Sequence, residues 1–144
     1  MLLPVIKYFS HLPKRLFLLD SFGAALTSFF LFIIIIFFDD YFGMPANILS
    51  CLLLVGLTLF LYSTTCFLIL KRNWVSFIRF IGLGNLLYSA TSLVFLYYYF
   101  NMLTPLGVIY FSLEAIFVFF IALIELKVAN HITLQVKSKK SLKI

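Results

Sequence analysis

The chain has 144 residues, of which 64% are hydrophobic and 11% charged, with a net charge of +6. A soluble domain holds roughly 45–50% apolar and about 25% charged residues, and one this small cannot hide such an apolar excess from water. A soluble globular domain is therefore excluded. The basic residues flank apolar runs instead of forming a basic domain, which points to anionic lipid headgroups as partners and away from nucleic acid.

Residues 1–15 read as a short amphipathic or irregular cytoplasmic lead-in. Lys7, Lys14 and Arg15 follow the opening apolar stretch, and Pro4 and Pro13 interrupt it, the wrong order for a cleaved signal peptide. Four apolar runs come next, at about 16–38, 46–70, 77–100 and 106–126. Each matches the ~20 residues that a helix needs to cross ~30 Å of hydrocarbon. No run alternates with period two, so spanning strands are not expected.

The connections are short. Asp39 to Pro45 ends the first run, with Gly43 and Pro45 as breakers. Lys71-Arg72-Asn73-Trp74 forms the second connection, with Trp74 as an interfacial anchor. Tyr97-Tyr98-Tyr99 marks the third, where Thr104 and Pro105 suit the N-cap and first position of a new helix. Short connections make successive helices antiparallel neighbours. Residues 127–144 are expected as a basic cytoplasmic tail, surface-lying or frayed. The expected fold is all-α: one integral membrane domain over 16–126, a four-helix antiparallel bundle.

Orientation follows from charge. Three Lys or Arg precede the first run, three lie between the second and third or at the start of the third, and five follow the fourth, while the other two connections have none. Basic residues resist translocation. Both termini are expected in the cytoplasm, with the protein in a bacterial inner membrane.

Polar residues within the runs are the informative ones, because a mid-membrane charge costs ~2.5–3.5 kcal/mol even on a lenient scale and normally faces the protein interior. Helical spacing gives each run one small or polar stripe: Asp20, Gly23, Ala24 and Thr27; then Thr58, Tyr62 and Thr65; then Arg79, Gly82, Asn85, Ser89 and Ser92; then Gly107, Glu114, Val118, Ile121 and Glu125. At ~1.5 Å per residue, Asp20, Arg79 and Glu125 come to one level near the cytoplasmic boundary, with Tyr62 beside them. An intramembrane charge cluster is expected there, and structural ion pairing or solvation by headgroups explains it. Glu114 lies deeper, at the level of Asn85, with no basic residue near. It is expected to be protonated and hydrogen-bonded by Asn85, Tyr88 or Ser89. Two roles fit it: a proton-linked or cation-binding carboxylate, or an interhelical hydrogen-bond donor.

Cys51 and Cys66 are 15 residues apart in one run, about 22 Å along a helix, too far to bridge. No Cys/His cluster suggests a metal, and no soluble-enzyme or cofactor motif is present. Gly82-Leu83-Gly84-Asn85 lies inside an apolar run, where close helix packing explains it.

Leu19-Asp20-Ser21-Phe22-Gly23, Phe42-Gly43-Met44-Pro45 and Asn85-Leu86-Leu87-Tyr88 make the chain resemble small uncharacterised four-helix bacterial inner-membrane proteins. That resemblance implies the bundle and no particular activity. The small multidrug resistance transporters are comparable in size and carry a membrane glutamate in their first helix. Here the first run has only Asp20, and the deep glutamate is in the fourth. The expected function is that of a non-enzymatic accessory or assembly subunit acting through helix and lipid contacts, with a membrane protein or a second copy as partner. The alternative is a small oligomeric transporter or channel using Glu114 near Asn85.

Overall fold

A computed structural model describes residues 2–141. Lys143 of the expected tail and the side chain of Asp39 lie outside the described residues. The described residues form six α-helices and no strand: α1 (Leu2–His11), α2 (Pro13–Ile33), α3 (Asp39–Phe42), α4 (Ala46–Ile69), α5 (Trp74–Tyr98) and α6 (Pro105–Ser141). A π-helical turn, Ile34–Phe38, carries α2 into α3. Four helical stretches are long and apolar enough to cross a membrane: Pro13–Phe38, Ala46–Ile69, Trp74–Tyr98 and Pro105–Ser141. These are the features of a multi-pass membrane protein.

The helices run past the expected ends where polar residues flank an apolar run. Pro13 occupies the first turn of α2, where a missing N–H costs nothing, so α2 begins within the expected lead-in. Before it, α1 is a separate helix. At the other end α6 continues through Lys127 and on to Ser141 as a helix of 37 residues, about 55 Å long. The tail is therefore helical up to Ser141 and not frayed. Lys, Gln and Leu are good helix formers, and polarity ends an apolar run without interrupting its backbone hydrogen bonds.

Two antiparallel hairpins make up the bundle. α2 packs mainly against α4 and α5 against α6; α4 also meets α5, whereas α2 and α6 touch only lightly. Two apolar clusters lie inside. One gathers Ile6, Phe17, Cys66, Ile78 and Val128, and Trp74 packs against it, its ring 6.1 Å from that of Phe17. The other gathers Leu31, Leu49, Leu52, Tyr88 and Phe111. Helix α1 enters the first through Ile6 and lies against α6. Large apolar side chains such as Phe22, Leu54, Leu87 and Phe120 cover the outside of the bundle, as a hydrocarbon solvent permits.

The hairpin ends on the acidic side interlock. Gly43 has φ +75°, and a Cβ there would lie 2.2 Å from the Met102 carbonyl oxygen, so only glycine fits. Thr104 Oγ1 donates to the Tyr41 carbonyl at 2.6 Å and accepts from the Gly107 N–H at 3.1 Å. Thr104 is thus the N-cap that the sequence indicates, and it also ties α6 to the end of α3.

Candidate functional site

A buried polar node lies between the two apolar clusters, and each of the four long helices contributes one residue to it. Asn85 of α5 is its centre. Its Nδ2 donates to Asp20 Oδ1 of α2 at 2.6 Å and to Glu125 Oε2 of α6 at 3.0 Å. Ser63 of α4 donates from Oγ to Asp20 Oδ2. All four residues are buried, Ser63 and Glu125 completely. The Asp20 and Glu125 carboxyls thus meet at one amide, which donates to both. No donor from a serine, an amide or the backbone reaches Glu125 Oε1.

Of the charge cluster expected from the sequence, Asp20 and Glu125 come together, but Arg79 does not join them. Arg79 is exposed and donates to Asn130 Oδ1 at 3.3 Å and Thr133 Oγ1 at 3.5 Å on α6. Tyr62 also stands apart, its hydroxyl 3.5 Å from the Phe77 carbonyl. The reason is helix length. With α6 running on to Ser141, Glu125 lies well inside the helix and opposite Asn85 instead of Arg79. Asn85 replaces the cation: an amide satisfies two acids without adding a buried charge.

The expected pairing of Asn85 with Glu114 does not form either. Glu114 is eleven residues from Glu125, roughly 16 Å along α6, beyond the reach of Asn85. The Tyr88 hydroxyl, among the donors expected, donates to Glu114 Oε1 at 2.6 Å. Ser89 instead donates to the Ala115 carbonyl at 2.8 Å. Glu114 Oε2 has no hydrogen-bond partner, although only 9% of the residue is exposed.

Two spaces adjoin these groups. A cavity of about 20 Å³ is lined by Asp20, Thr27, Gly56, Asn85, Tyr88 and Val118, enough for one water molecule. A wider groove of about 230 Å³ opens to the outside between α2 and α6, lined by Gly23, Thr27, Phe30, Tyr110, Glu114 and Phe117. It follows the seam where those two helices barely touch.

The stripe read on the second run is on the wrong face. Thr58 and Thr65 are exposed, and their hydroxyls bond back to the carbonyls of Leu54 and Leu61 at 2.8 and 2.7 Å, which satisfies them without a neighbouring helix. The buried face of α4 carries Leu49, Leu52, Gly56 and Ser63. Ser63 was missed for this reason, although Gly56 and Ser63, seven residues apart, share a face. Cys66 is buried and Cys51 exposed, and both are free. Among the described residues no group of three or more His, Cys, Asp or Glu is placed to hold a metal. Compared with protein-family models, curated proteins and solved structures, the chain finds no match.

Proposed function

We propose that this chain is a multi-pass protein of the bacterial inner membrane, with both termini cytoplasmic, and that it acts without catalysis as an accessory or assembly subunit through helix and lipid contacts. The packing around the polar node carries the reading. The space beside the node holds about one water molecule, too little for a substrate at Asp20. Ser63, the one serine donating to a carboxylate there, is fully enclosed. A node that draws one residue from every long helix suits a scaffold that presents a constant outer surface. Lipid forms part of that surface, with anionic headgroups at the basic end, and the partner is a membrane protein or a second copy. Purification from native membranes in mild detergent should bring down a stoichiometric membrane protein or a homo-oligomer. Recovery of monomer with lipid alone would refute the reading.

A second reading is favoured by one observation, the unpartnered Oε2 of Glu114 beside an open groove. In it the chain is a small oligomeric transporter or channel using Glu114, with Tyr88 in the place expected of Asn85. Flux in proteoliposomes that survives Glu114→Gln unchanged would eliminate this mechanism.

A further inference from the structure

The groove between α2 and α6 brings together an acid and a set of aromatic rings. Glu114 lines it, with one carboxyl oxygen occupied by Tyr88 and the other enclosed and without a partner. Its walls carry three aromatic rings, Phe30, Tyr110 and Phe117. A buried acceptor left unpaired is costly, more so away from water, so Glu114 Oε2 calls for a donor. None of the described residues that line the groove is basic. The nearest basic residue on α6 is Lys127, 13 positions on, and on α2 it is Arg15, 12 positions before Thr27, each about 18–20 Å away along its helix. The donor must come from outside.

We propose that this groove is a binding site for a small organic ammonium ion with an apolar body. The positive charge sits against Glu114 Oε2, and the rings of Phe30, Tyr110 and Phe117 face its alkyl shell, where aromatic faces attract cations. At about 230 Å³ the space suits an ion with a few carbon substituents, since drug-sized ligands occupy ~300–1,000 Å³. Gly23 keeps the mouth open. A Cβ at that position would lie 3.5 Å from Ile121 and 3.8 Å from Phe117, ordinary contact distances, so packing alone does not demand glycine. A longer side chain there would fill the groove without altering the acid. The inference rests on the Glu114 of the second reading but separates from it: ammonium binding without flux keeps this site and removes the transporter, while flux without ammonium binding does the reverse.

The test uses the full chain in phosphatidylcholine nanodiscs, with empty discs as background. Equilibrium dialysis compares benzyldimethylammonium, which keeps one N–H donor, with isobutylbenzene, its uncharged carbon isostere. Saturable uptake of one ammonium ion per chain is expected, with no saturable uptake of the isostere. Glu114→Gln and Gly23→Leu should each weaken binding at least about tenfold, and Thr65→Val, on an exposed face of α4, should leave it unchanged. Gly23→Leu keeps the acid and serves if Glu114→Gln fails to fold. Equal uptake of the two probes, or full binding by a monodisperse Glu114→Gln protein, would overturn the proposal.

Discussion

At the residue scale, Asn85 is the side chain on which most depends. Its hydrogen bonds reach both α2 and α6, and they do so with a neutral amide between two acids. Replacing it with leucine keeps similar bulk and removes both bonds, leaving Asp20 and Glu125 short of a donor. Asn85→Leu should lower stability by roughly 1–3 kcal/mol, seen as a lower unfolding midpoint in detergent. Thr58→Val and Thr65→Val delete hydroxyls that bond only to their own helix and should change stability by less than about 0.5 kcal/mol. If the threonine variants cost as much as the asparagine variant, the assignment of faces on α4 is wrong. The acids and Asn85 are legible in the sequence as polar residues where lipid disfavours them. Their pairing is not, because a depth estimate inherits any error in the helix ends, and three residues of error on two helices is enough to exchange Arg79 for Asn85 as the partner of Glu125.

At the element scale, the hairpin ends and the long α6 carry the consequences. Gly43 is held at positive φ against the Met102 carbonyl, so Gly43→Ala should destabilise the bundle by about 1–3 kcal/mol, measurable by the same unfolding experiment; an unchanged midpoint would show that the α3–α4 connection is free to rearrange. In α6, Val128 and Ala129 are fully buried beside Ile6 of α1, while Leu134 and Val136 are exposed. Truncation after Thr133 should therefore cost less than about 0.5 kcal/mol, and truncation after Leu126 should cost clearly more, because it strips the first apolar cluster of its α6 side and leaves α1 without a surface to pack on. Comparable losses from the two truncations would mean that α1 does not dock on α6. The Thr104-Pro105 start of α6 is readable from residue chemistry alone, since a hydroxyl before a proline suits a helix N-terminus. The end of α6 is not, because good helix formers continue beyond the apolar run and nothing in the chain breaks them.

For the whole molecule, two tight hairpins joined by one polar node leave a weak seam between α2 and α6. That asymmetry is why the groove holding Glu114 opens there rather than between α5 and α6, which pack closely. The proposed orientation is tested at this scale. Alkaline phosphatase fused after Asp40 should be active and fused after Lys140 inactive, because the basic segments stay on the cytoplasmic side. The opposite pattern would reverse the topology and place α1 and the basic end of α6 outside.

Composition and run length alone determine that the chain is helical, that four stretches can span a bilayer and that its basic residues collect at alternate connections, because these depend on apolar length and on local charge order. They also single out Asp20, Asn85, Glu114 and Glu125 as groups needing partners. The tertiary structure decides which partner each receives. Helix register sets Asn85 opposite Glu125 and Tyr88 opposite Glu114, and the choice of buried face brings in Ser63 while turning Thr58 and Thr65 outward. Period and polarity describe a helix about its own axis. How far one helix slides along another, and which face it turns inward, is settled only when side chains from all four compete for the same interior.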